Sequence, residues 1–122
     1  FTMPDFFNVP GVDCRDIGRC GAALLAVGGE GHHGQCYEMS GPDHFTPADI
    51  ANTCSEVLGK EVAFNPLPWE AVEKMPPFIL EVMTYLRAEG KDGVPLSGAV
   101  KELTGRVTSL ADFVREHKAM LE

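Results

Sequence analysis

The sequence predicts an α/β fold, a small two- to three-stranded sheet with parallel pairing and about five helices. Three observations carry the prediction. Hydrophobic periodicity runs helix, strand, helix, strand and then helices along the chain, an order that lets successive strands lie side by side through helical crossovers. The second helix has both ends marked, by Thr46, Pro47 and Asp49 at the start and Gly59 at the close. The segment 61–67 alternates through Val62 and Phe64 before Pro66 and Pro68 interrupt it, the pattern of a half-buried strand.

The elements follow in order. Residues 1–11, broken by Pro4 and Pro10, read as an extended lead-in, and residues 12–122 as one α/β module in a single domain. Val12–Arg15 is a short extended piece. Asp16 is a good N-cap for a helix that repeats Ile17, Cys20, Gly21, Leu24 and Val27 at helical spacing and closes at Gly28 and Gly29. Residues 35–39 read as a strand stopped by the turn Ser40–Gly41–Pro42. Thr46 caps the next helix, with Pro47 at its first position and Asp49 completing a capping box. Ile50, Cys54, Val57 and Leu58 form its apolar face. A short helical turn over 69–75 precedes a helix over 77–89 that points Ile79, Val82, Met83 and Leu86 inward. After a loop at 90–94, Ser97 caps a short helix ending at Gly105. Ser109, with Asp112 three residues on, opens a last helix carrying Leu110, Phe113, Val114 and Leu121.

At 122 residues, 44% of them apolar and 23% charged, the chain has the composition of a soluble globule. No apolar run approaches the roughly 20 residues of a membrane span. The formal net charge is −8, and the ten Lys and Arg residues form no stripe. Tracking a phosphate backbone needs clustered positive charge, so nucleic acid is not an expected partner. Cys14, Cys20, Cys36 and Cys54 include no CxxC pair. They read as reduced structural thiols, which implies a cytoplasmic location. The first residue is Phe1, which leaves two readings, a preceding segment or a start at Met3.

Several stretches together carry a family pattern. Residues 12–19, VDCRDIGR, resemble the VDxRDIG segment of NmrA-like, atypical short-chain dehydrogenase/reductase proteins. GQCYEMSGP (34–42) is similar to their GxxYxLTGP. TPADIA (46–51), SEVLGK (55–60), PLPWEA (66–71) and TSLADFVREH (108–117) continue the series in the same order. The resemblance covers nearly all of the chain from Val12 onward. It implies the C-terminal, substrate-side part of an NAD(P)-binding protein, without the first half that holds the dinucleotide.

That implication agrees with the residues themselves. The one Gly-rich run, GGEGHHG (28–34), follows a helix and precedes a strand, the reverse of the order that cradles a pyrophosphate. Tyr37 and Tyr85 are followed four residues later by Gly41 and Glu89, so the Tyr-x-x-x-Lys pair of short-chain dehydrogenases is missing. No catalytic residue is assigned, and no cofactor is expected to bind this chain alone. The chain is expected to be a non-catalytic module for small-ligand binding or protein association. The alternative is part of an NAD(P)-dependent oxidoreductase whose cofactor domain lies outside it.

In the family, the region of Trp69, Phe78, Met83 and Tyr85 faces substrate, and these four are the candidate substrate-binding residues for a small apolar ligand. Plain core is the competing reading of the same helical spacing. Asp13, Arg15 and Asp16, with Arg19, fall where the resemblance puts an interdomain cleft. Helix capping by Asp16 and local ion pairing are the competing reading. His32, His33, Cys36 and His44 match no zinc spacing and read as loop residues. Expected partners are the missing dinucleotide-binding domain or a second copy in a homodimer.

Overall fold

The computed structural model describes residues 1–89 and 94–121. All but Val94 of the loop expected at 90–94 lies outside them. The fold is α/β, with a two-stranded parallel sheet and seven helices among the described residues. Strand β1 (Thr2–Met3) pairs with β2 (Asn65–Pro66). The helices are α1 (Cys14–Ala26), α2 (Pro47–Leu58), α3 (Trp69–Val72), α4 (Pro77–Glu89), α5 (Ala99–Thr104), α6 (Leu110–Glu116) and α7 (Lys118–Leu121).

The parallel sheet agrees with expectation, but its strands are not the expected pair. Residues 35–39 form no strand. Their alternation is present, with Tyr37 and Met39 half-buried between exposed neighbours. A ladder needs a second backbone, however, and the described ties of this segment are Gln35 N to the His32 carbonyl, the His32–Tyr37 side-chain contact and Ser97 Oγ donating to the Glu38 carbonyl, none of them a strand pairing. The lead-in supplies the strand instead. Asn65 N donates to Phe1 O at 3.0 Å and Leu67 N to Met3 O at 2.9 Å. The Phe1 and Phe64 rings meet with centroids 5.6 Å apart.

Helix α1 starts three residues earlier than expected. Asp13 is the N-cap, its carboxylate accepting from Arg15 N at 2.8 Å. Arg15 is therefore helical rather than extended. Asp16 lies in the first turn and is fully buried. The buried stripe of α1 is Asp16 and Cys20, while Ile17 and Val27 stay about half exposed. Helix α2 is as expected: Thr46 and Asp49 exchange capping bonds, Pro47 opens the helix, and Gly59 closes it at φ 68°. Helix α5 has Gly98 at its N-cap, and Ser97 Oγ accepts from Ala99 N at 3.2 Å. Ser109 caps α6, but Leu121 belongs to the separate α7, because the chain leaves α6 at His117.

Two crossings explain the Ser40–Gly41 turn. A Cβ on Gly41 would lie 2.1 Å from the Gly11 carbonyl oxygen, so only glycine lets the 41–45 segment pass the 9–11 segment. Gly41 N donates to Pro10 O at 3.1 Å across that crossing. Ser40 is buried, and its hydroxyl accepts from Ser97 N at 2.8 Å while donating to Ser97 O at 3.2 Å.

The packing is α1 against α5, and α2 against α6 and α7. The buried apolar side chains are Cys20, Ala51, Val72, Ala99, Val100 and Val114, all small. Larger ones such as Phe45, Phe64 and Trp69 are half-buried, and several lie outside: Leu25 is 82% exposed, Phe78 74% and Tyr85 54%. Helix α4 has no buried residue, so the inward packing expected of Ile79 and Val82 is not found. The exposed Phe78, Ile79, Val82 and Tyr85 of α4 leave an apolar surface uncovered by any described element.

Candidate functional site

The four candidate substrate residues lie on α3 and α4, but the structure does not gather them. At about 100° of rotation per residue, Phe78, Val82 and Tyr85 share one face of α4, while Arg87 and Met83 lie toward the opposite face. Trp69 belongs with the second group. The Arg87 guanidinium lies over the indole, 4.4 Å from the ring centroid. Glu73 Oε1 accepts from Trp69 Nε1 at 2.8 Å, which fixes the indole in its plane. Phe6 meets the same ring at 5.9 Å between centroids. With Asp5 and Pro66–Pro68 these residues line an open cleft of about 360 Å³. Phe78 and Tyr85 point away from it into solvent. Sequence reasoning missed Arg87 and Phe6. Arg87 is the i+4 neighbour of Met83, a spacing that marks it as sharing that face.

The second candidate group is bound into the chain's own structure. Asp16 accepts from Thr108 N at 2.7 Å and from Thr108 Oγ1 at 3.2 Å, and it pairs with Arg19. Arg19 also donates to Thr108 Oγ1 at 3.2 Å, and its Nε is buried with no partner among the described residues. Asp13 receives Arg15 Nε at 3.1 Å, and Arg15 reaches on to Glu116 at 2.6 Å. Hydrogen bonding from Arg15 is the main cause that holds the Asp13 carboxyl at about 2. Burial pushes Asp16 up, but the Thr108 N–H and the Arg19 guanidinium outweigh it and leave its pKa lowered. Both groups are ionised acceptors whose lone pairs are taken, so neither is suited to proton transfer. The tie to Thr108 was not foreseen, because nothing in the sequence relates positions 92 residues apart.

Beside this network, Val12, Phe45, Ile50, Cys54, Leu110 and Phe113 line a largely apolar cleft of about 360 Å³ between α2 and α6. Among the described residues no three His, Cys, Asp or Glu side chains converge as a metal site. His32 contacts Tyr37 Oη at 2.6 Å, and His44 Nε2 donates to the Val94 carbonyl at 2.6 Å. No described helix is long and apolar enough to cross a membrane.

The Gly-rich run does not fit a dinucleotide. Gly28, Gly29, Gly31 and Gly34 all have positive φ, but the run follows the C-terminus of α1. That end presents carbonyl oxygens and no basic residue in its last turn, a setting that disfavours phosphate.

No family model matches the chain. It is 32% identical over 114 residues to a (4-alkanoyl-5-oxo-2,5-dihydrofuran-3-yl)methyl phosphate reductase of Streptomyces griseus, an alignment covering 87% of this chain and 40% of that protein. It is 28% identical over 122 residues to an NAD(P)H azoreductase of Xenophilus azovorans, covering 92% and 42%. In fold it is similar to the triphenylmethane reductase of a Citrobacter species, solved with NADP(H), at TM-score 0.71 and 23% identity over 94% of this chain and 44% of that one. A nucleoside-diphosphate-sugar epimerase of Staphylococcus aureus gives TM-score 0.70 at 20% identity, over 93% and 43%. The chain thus spans less than half the length of each.

Proposed function

The chain corresponds to the C-terminal part of an NmrA-like, atypical short-chain dehydrogenase/reductase protein, and on that premise we propose that it forms the substrate-side part of an NAD(P)H-dependent reductase. One observation carries the reading: α4 displays Phe78, Ile79, Val82 and Tyr85 with no described element packed over them. Aromatic and aliphatic side chains held on a helix and left uncovered suit one wall of an apolar site whose other wall is a separate body. Trp69 and Met83 border the same helix from the inner side.

The chain's own residues fit no dinucleotide cradle, so its part is to bind and orient substrate and to exclude water. Taken alone it is a non-catalytic module. Asp13, Arg15 and Asp16 stabilise the edge that meets the missing dinucleotide-binding domain. The apolar cleft between α2 and α6 is the place for a small apolar ligand. Without the missing domain, the exposed α4 face drives pairing of two copies into a homodimer. The reduced thiols are consistent with a cytoplasmic protein.

The test is a chimera in which this chain replaces the matching 42% of the azoreductase. NADPH oxidation that depends on an added azo compound, lost on Phe78→Ala with Tyr85→Ala, supports the proposal. A folded chimera that binds NADPH but turns over no acceptor contradicts it.

A further inference from the structure

We infer that the cleft between Trp69 and Arg87 is an oxyanion subsite for a planar, conjugated molecule carrying a phosphate or carboxylate group. It lies on the face of α4 opposite Phe78 and Tyr85 and is independent of the substrate-side reading above. The Arg87 guanidinium lies over the Trp69 ring, its carbon 4.4 Å from the ring centroid. A guanidinium seated over an aromatic ring still carries five N–H donors in a fixed planar fork, two of which a planar oxyanion can meet. Among the described residues no carboxylate forms a salt bridge with Arg87.

The walls of the cleft are flat and apolar: Phe6, the indole of Trp69 and the run Pro66–Leu67–Pro68. The indole and the Pro66–Pro68 run are held in place. Leu67 N donates to Met3 O at 2.9 Å, and Glu73 takes the indole N–H, so neither wall must be ordered when a ligand enters. About 360 Å³ accommodates a single ring with its substituent. The one opposing group on the lining is Asp5, which is exposed. Arg87 is exposed as well, so water and salt screen both charges, and the advantage of the fork over Asp5 is its two direct hydrogen bonds to the anion.

Trp69 is the sole tryptophan and reports directly on the cleft. Its emission is followed while benzyl phosphate and phenylacetate, as the two oxyanion sources, are added to the full chain, with benzyl alcohol and inorganic phosphate as controls. A saturable change with either aromatic anion is expected, at least about tenfold tighter than with benzyl alcohol or inorganic phosphate. The stronger of the two anions identifies the source. Arg87→Met should weaken that binding about tenfold or more, and Arg87→Lys less, because Lys keeps the charge without the fork. Asp5→Asn should tighten it about twofold. No saturable change with either anion, equal affinity for benzyl alcohol, or unchanged affinity in Arg87→Met would each overturn the subsite. None of these readouts uses NADPH or turnover, so the reductase proposal stands or falls separately.

Discussion

The backbone N–H of Thr108 donates to the buried carboxylate of Asp16 at 2.7 Å, joining the first turn of α1 to the residue two positions before α6. One side chain thereby receives a backbone donor, a hydroxyl and a guanidinium. Asp16→Ala leaves the Thr108 donor without its acceptor, a loss of about 1–3 kcal/mol, while the Arg19 charge, 32% exposed, is partly relieved by water. Asp16→Asn keeps one acceptor oxygen and should lose less. Urea unfolding followed by circular dichroism measures both, and an unchanged midpoint in Asp16→Ala would refute the role given to this contact.

The same carboxylates set the acid limit. Asp13 is held at about 2 by Arg15, below the roughly 3.9 of an unfolded chain. Asp16, Asp49 and Asp112 are lowered as well. A carboxyl with a depressed folded pKa contributes its stability fully above the unfolded value and loses it as pH falls toward the folded one. Unfolding midpoints should therefore hold down to about pH 5 and decline from about pH 4 to 2. Asp13→Asn should flatten that decline, and an identical slope would count against the Asp13–Arg15 pair.

Thr46→Ala removes the oxygen that accepts from Asp49 N at 3.2 Å. The usual cost of losing such a cap is about 0.5–2 kcal/mol. A denaturation midpoint equal to wild type would mean that α2 does not depend on this box.

Local chemistry was legible in the sequence, and long-range pairing was not. The α2 capping box, the close at Gly59 and the Pro77–Glu89 helix were readable because each depends on residues within one or two turns. Residues 35–39 have the alternation of a strand and lack a partner, which no local pattern reveals. Thr2–Met3 lacks such a pattern and gains the partner. Asp16 read as an N-cap because Asp commonly is one, yet Asp13 takes that place and frees Asp16 to reach Thr108. The spacing of α4 predicts an inward face of Ile79, Val82, Met83 and Leu86, but Ile79 and Val82 are exposed and only Met83 and Leu86 are half-buried, because periodicity cannot say what covers a face. The four candidate substrate residues divide for the same reason, with Trp69 and Met83 toward Arg87 and Phe78 and Tyr85 outward.

Self-association is expected at the uncovered faces. Leu25, Phe78 and Tyr85 are more than half exposed, and screening over about 8–10 Å at physiological salt moderates repulsion from the −8 charge. The Thr2–Met3 arm is spent on β2 of its own chain, so the α4 face rather than arm exchange is the contact expected. Light scattering at tens of micromolar should give about twice the 13.2 kDa of one chain. Phe78→Ser with Tyr85→Ser should restore the monomer mass, and a wild-type mass of one chain would exclude the dimer.

Titrating NADPH with the chain alone tests most directly whether it holds the substrate side without the dinucleotide site. Nicotinamide fluorescence should show no saturable change at micromolar chain and cofactor, because the run 28–34 follows a helix C-terminus and offers no phosphate cradle. Saturable binding in the micromolar range would contradict the account.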